Sequence, residues 1–146
     1  LECRIVELAA ARLDAAARVR IRDNLSAQRR AIAARDAAGF FRVDEALHEL
    51  LAECAGHASA WQVIHSAKAQ LDRVRRLSLE SPARSRLRMN EHRAIADRVL
   101  EGDGAGAAQA MRAHLGTVFE SIANIAEENA HYFIDTAAGP PAARRA

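Results

Sequence analysis

Apolar residues recur along most of the chain at intervals of three and four with charged residues between them, and no stretch alternates with the two-residue period of a strand. That spacing is the signature of amphipathic helices. Residues 1 to about 16 carry Leu1, Ile5, Leu8, Ala9 and Leu13 in this register and predict a first helix. Between Ala17 and Arg35, Val19, Ile21, Leu25 and Ile32 stand among many charges, which predicts a second, more exposed helix. Asp36 suits the N-cap of a third helix over about 37–55, because its carboxylate accepts from orphan backbone donors and favours the positive end of the helix dipole. Gly56-His57 marks a break, and Ser59 is expected to cap a helix over about 60–79 that bears Val63, Ile64, Ala67, Leu71, Val74 and Leu77. Ser81-Pro82 reads as cap and first helical residue of the next helix, which ends near Glu101-Gly102, glycine fitting the left-handed position after a helix. Asp103 then caps a last long helix over about 104–133, and the Gly-, Pro- and Arg-containing segment 135–146 is expected to be a disordered tail. The expected fold is all-α, an antiparallel bundle of six or seven helices forming one domain over 1–134, with an internal pocket for a metal and a ligand.

The pattern is interrupted where function would interrupt it. On the third helix, Phe41, Asp44, His48, Leu51 and Ala55 share one face, so a carboxylate and an imidazole one turn apart point inward. A buried carboxylate without compensation costs several kcal/mol or is forced to neutralise. His92 lies on the Ile95, Ala96, Val99 stripe of its helix, and His114 on the Ala107, Met111, Val118, Ile125 stripe of another. Inward histidines and an aspartate from three helices are how a bundle assembles an internal metal site. Asp44, His48, His92 and His114 are therefore the candidate ligands. Taken singly, each has a plainer reading: a satisfied core histidine, or an aspartate paired with an arginine. The other histidines fit less well, His57 lying in a break, His65 about 100° from its apolar stripe and His131 near the chain end.

Three nitrogens and one oxygen suit zinc, and also nickel, cobalt or manganese, with open positions at higher coordination numbers. An open site could activate water. Glu45, Glu49 and Glu91 adjoin ligands in sequence, yet each points about 100° away from its neighbour, a poor placement for a general base. The paired Glu-x-x-His motifs of di-iron bundles are missing from the sequence. No catalytic residue is therefore assigned, and a mononuclear metal-dependent enzyme is the alternative to a binding domain. Arg75, about 40° from the Leu71 direction, and Ser121, on the His114 stripe, are the candidate ligand-orienting residues. A divalent ion balanced by one aspartate favours an anionic ligand, so a small carboxylate or hydroxy acid is expected beside the metal.

Composition narrows the classes further. The net charge of +2 arises from 21 basic and 19 acidic side chains interleaved along the chain, a pattern of solvated helix faces and not of a nucleic-acid footprint. Cys3 and Cys54 have no metal-like spacing and read as reduced thiols of a cytoplasmic protein. No apolar run reaches transmembrane length, so no membrane association is expected.

Asp44-x-x-x-His48, then Glu91-His92-Arg-Ala-Ile95, then Gly102-Asp103 followed by Ala110-Met111-Arg112-x-His114-Leu115, resembles the C-terminal effector domain of the FadR branch of GntR-type transcription regulators, the FCD domain. Leu1-Glu2 with Leu8-Ala9-Ala10, and Gln70 through Leu77, are similar to other parts of it, and the resemblance covers nearly all of 1–134. It implies a helical sensor that holds a divalent metal through Asp44, His48, His92 and His114, takes up a small organic acid beside the ion and forms a homodimer. It also implies an N-terminal winged-helix domain that contacts operator DNA. Nothing in residues 1–146 has a winged-helix pattern, so DNA binding would belong to a segment outside this chain. A purely structural dimerisation module is a further alternative.

Overall fold

A computed structural model of the chain describes the backbone of residues 1–79 and 82–128, and the side chains of 1–69, 83–120 and 123–124. The described residues form six helices and no strand: α1 (Glu2–Arg12), α2 (Ala15–Ala33), α3 (Ala37–Cys54), α4 (Ala58–Leu79), α5 (Pro82–Glu101) and α6 (Gly104–Glu128). The all-α bundle expected from the sequence is thus observed. Ser81 and the segment 135–146 lie outside the described residues.

Helix boundaries follow local chemistry. Asp36 Oδ1 accepts from Gly39 N at 2.7 Å and Asp103 Oδ1 from Gly106 N at 2.8 Å, so both expected caps are made. Asp14 caps α2 in the same way, accepting from Ala17 N at 2.7 Å. Ser59 does not cap α4: the helix already includes Ala58, and Ala60 N bonds to the His57 carbonyl at 2.9 Å. Three helices end alike. After α2, α3 and α5 the chain turns through a left-handed residue, Arg35 (φ 55°), Gly56 (φ 76°) and Gly102 (φ 80°). In each case the next residue reaches back five positions: Asp36 N to Ala31 O, His57 N to Ala52 O and Asp103 N to Arg98 O, all at 2.9 Å.

Packing places α3 at the centre of the molecule, against α1, α2 and α4, while α6 lies against α1, α4 and α5. Phe40, Leu47 and Leu51 of α3 meet Val6 of α1, Ile21 of α2, Ile95 and Val99 of α5 and Met111 of α6 in one buried core. Each such side chain contributes about 1.5–3 kcal/mol by leaving water. Ala9, Ala52, Ala96 and Ala107 are fully buried, and these small residues allow the helix axes to approach. At Gly104 the start of α6 comes close to α1, since a Cβ there would stand 3.0 Å from the Glu7 carbonyl oxygen. Val63, placed on the apolar stripe of α4, is instead exposed, because periodicity gives a direction on a helix but not the width of the strip its neighbours cover. Leu1 and Val19 are exposed too, Val19 lying on the far side of α2 from Ile21 and Leu25. Among the described residues no helix is long and apolar enough to cross a membrane.

Candidate metal centre

The core closes around polar groups. Asp44 and His92 are wholly buried, and His48 and His114 nearly so, as the helical stripes predict. One ring nitrogen from each of His48, His92 and His114 lies within 4.8 Å of the others, bringing α3, α5 and α6 to a single point. Asp44 joins through His92, its Oδ1 standing 3.4 Å from His92 Nε2. The rings are packed face and edge, with centroids 5.4 Å apart for His48 and His92, 5.3 Å for His48 and His114, and 4.8 Å for His92 and His114.

Each imidazole is backed by an oxygen on its other nitrogen. His92 Nδ1 lies 2.8 Å from Gln28 Oε1, His114 Nδ1 3.0 Å from Glu91 Oε2, and His48 Nδ1 3.0 Å from Glu2 Oε1. His92 and His114 are thereby oriented as metal-ligating histidines are, an outer acceptor fixing the ring so that the remaining nitrogen offers its lone pair. The buried Nε2 atom of His92 and both ring nitrogens of His48 have no hydrogen-bond partner among the described residues, the His48–Glu2 approach lacking hydrogen-bond geometry despite its 3.0 Å. Leaving buried polar atoms so is costly unless something else satisfies them. A divalent ion with bonds of about 2.1 Å to nitrogen would do so, and the residues present fit one.

The electrostatics favour neutral His92 and His114 and charged Glu2 and Glu91. Burial holds His92 well below the ordinary histidine range, Asp44 pulling the other way, and burial also lowers His114 against the opposing pull of Glu91. Glu2 and Glu91 are pushed upward by burial but more strongly downward by their neighbours. The His48 ring and the charge of Lys68 bring Glu2 to about 2, and the contacts with His114, Thr117 and Arg88 lower Glu91. Glu91 sits in a network of its own: the Thr117 hydroxyl donates to Oε1 at 2.7 Å, and the buried Arg88 donates to Oε2 at 2.9 Å.

A cavity of about 120 Å³ opens beside His48 and His114, with Glu2 and Lys68 on its wall and Leu115, Val118 and Phe119 of α6 opposite. Lys68 pairs with Glu45 at 3.2 Å and rests 4.7 Å above the centre of the Trp61 ring. The side chains of Arg75 and Ser121, the expected orienting residues, lie outside the described residues. His65 is exposed and pairs with Glu45 at 3.3 Å, in keeping with its exclusion from the site.

Sequence reading missed Glu2, Gln28, Glu91 and Lys68. For Gln28 a signal existed, since it continues the Ile21, Leu25, Ile32 stripe as a polar interruption like Asp44. Glu91 does point away from His92 on its own helix, but that direction leads to His114 on α6.

A metal-competent histidine cluster at the heart of a helical bundle narrows the class, and sequence relatives identify it. The profile of the FCD domain family matches residues 1–117. The chain belongs to the FCD domain family. An uncharacterized HTH-type transcriptional regulator in an unstable DNA locus of Streptomyces ambofaciens is 40% identical over 134 residues, covering 92% of this chain and 56% of that protein. The HTH-type transcriptional repressor RspR of Escherichia coli K12 is 31% identical over 133 residues, covering 91% of this chain and 58% of RspR. The chain thus spans a little over half the length of these curated relatives.

Proposed function

We propose that this chain is the metal- and ligand-sensing domain of a GntR/FadR-type transcription regulator, acting in the cytoplasm as a homodimer and controlling operator binding by a winged-helix domain outside residues 1–146. The observation that carries the reading is the convergence of His48, His92 and His114 from three helices within 4.8 Å, with Asp44 beside His92. These four would hold a divalent ion, zinc suiting the donor set and nickel, cobalt or manganese also able to occupy it. A small carboxylate or hydroxy acid would reach the ion from the cavity beside His48, with Lys68 within its wall. Arg75 and Ser121 are the sequence-based candidates for orienting that acid.

The charges around the cluster refine why an anion would bind. Glu2 and Glu91 back two of the rings and Arg88 stands against Glu91, so with the ion and Asp44 the formal charges cancel, while Lys68 is already paired with Glu45. Affinity for the acid would come from its direct bond to the metal and from short-range contact with Lys68, rather than from a net positive field.

Sensing is favoured over hydrolysis by the state of the carboxylates. A general base works best with a pKa near the working pH, whereas Glu2 is held at about 2 and Glu91 is engaged by Thr117 and Arg88 behind His114.

The test is metal analysis of purified protein before and after chelation, followed by a thermal-shift screen of small carboxylic acids. About one ion per chain is expected, lost in a His92→Ala, His114→Ala double variant, with acids stabilising the metal-loaded protein more than the metal-free protein or the Lys68→Ala and Arg75→Ala variants. Undiminished metal in the double variant refutes the ligand set, and equal stabilisation of every form refutes the placement of the acid.

A further inference from the structure

Gln28 is a fully buried amide on α2, and the hydrogen bonds around it fix a proton. The chain of bonds starts at the backbone carbonyl of Val43, which can only accept. Asn24 Nδ2 lies 2.9 Å from it and donates, leaving Asn24 Oδ1 as the group that faces Gln28. Gln28 Nε2 donates to that oxygen at 2.8 Å, which turns Gln28 Oε1 toward His92, 2.8 Å from Nδ1. An amide oxygen has no proton to give, so His92 Nδ1 carries the ring N–H, and in the neutral ring Nε2 is then a bare lone pair.

We propose that Gln28, oriented by Asn24, is a positioning residue that holds His92 in the tautomer whose Nε2 lone pair faces Asp44, so that the ring is ready to ligate a metal before one arrives. The need for such a device lies in Asp44 itself. With Oδ1 only 3.4 Å from His92 Nε2, the opposite tautomer would donate Nε2–H to the carboxylate in a charge-assisted hydrogen bond, tying two ligands to each other. The Gln28 oxygen makes that tautomer give up its Nδ1 bond, and Asn24 stops the amide from turning over to present its NH₂. Because Asn24 is anchored on Val43, next to Asp44, α2 also links the ligand-bearing segments of α3 and α5.

The purpose of this arrangement rests on the metal reading of the site, but its test does not. Long-range proton–nitrogen correlation spectra of chelator-treated protein labelled in histidine, with His92→Ala supplying the assignment, should show His92 protonated at Nδ1 and bare at Nε2. Gln28→Leu should move the proton to Nε2 and weaken binding of zinc about 10–100-fold. Gln28→Glu, which keeps an acceptor, should retain the wild-type tautomer and most of the affinity. A purely structural role for Gln28 would change stability without moving the proton. Wild-type protein protonated at Nε2, or an unchanged tautomer in Gln28→Leu, overturns the proposal, and the wild-type spectrum decides even where a variant fails to fold. Wild-type protein with the expected tautomer but no affinity for zinc, nickel, cobalt or manganese would instead defeat the metal reading and leave the tautomer assignment standing.

Discussion

Buried imidazoles that must stay neutral make the metal-free core vulnerable to mild acid. In the unfolded chain a histidine takes up a proton near pH 6.5, while burial holds folded His92 and His114 below that value. Below about pH 6.5 the unfolded state therefore binds more protons than the folded one, and stability falls with pH until the folded rings titrate. Glu2 acts in a lower window: its folded value of about 2 lies under the ordinary glutamate value of 4.5, so its contribution is complete above 4.5 and lost as pH falls toward 2. Urea unfolding of chelated protein should show midpoints declining in two stages, the first starting near pH 6.5; a flat profile between pH 7 and 5 would contradict the neutral, buried state of the rings. At this scale the sequence was informative wherever a polar residue interrupts an apolar stripe, as Asp44, His48, His92 and His114 do. It was silent on Glu2 and Lys68, whose relation to the cluster depends on which helix faces which, and helical spacing does not encode that.

Whole helices were the most legible level, and their ends show why. Asp36 and Asp103 announce their caps because an aspartate directly before an apolar-periodic run has one favourable use. Ser59 misled because its place was taken by the turn through Gly56, which carries the chain into α4 two residues earlier. The three left-handed exits are chemically unequal. Gly56 and Gly102 adopt positive φ without a side-chain clash, whereas Arg35 holds the same conformation with a Cβ. A non-glycine residue there is strained by about 1–2 kcal/mol, partly offset by the extra freedom that glycine gives the unfolded chain. Arg35→Gly should accordingly stabilise the protein by roughly 0.5–1 kcal/mol, and Gly102→Ala should destabilise it by about 1 kcal/mol. Denaturant midpoints measure both, and a loss of stability in Arg35→Gly would show that its side chain, not its backbone, sets the turn. Arg12 and Arg18 reinforce two of these ends, donating to the carbonyls of Ala55 after α3 and Leu100 in α5, the latter at 2.7 Å.

For the molecule as a whole, the three histidines belong to helices that also pack through the apolar core, so an ion bound among them would be felt globally. Binding to the folded state alone stabilises by about 2.7 kcal/mol at a hundredfold excess over Kd, which for a domain of this size corresponds to a rise in Tm of about 10 °C. Calorimetry of chelated protein titrated with zinc should show that rise, and His48→Ala should remove most of it. A Tm insensitive to zinc, nickel, cobalt and manganese alike in the wild type would mean that the cluster holds no ion in the folded state. The domain boundary and the dimer expected from the sequence concern surfaces and segments beyond any single helix, and light scattering of the chain at tens of micromolar measures the second directly.

Trp61 is the chain's single tryptophan, and its indole lies nearly parallel to the His48 imidazole, 14° between planes and 6.0 Å between centroids. Emission from this protein therefore originates against the very ring that would ligate the ion. An open-shell ion such as nickel or cobalt at that distance would drain the excited state and darken the molecule, whereas closed-shell zinc would leave it bright and shift only its colour. Occupancy and, in part, the electronic character of the ion would thus be readable as light from the native chain, without a label.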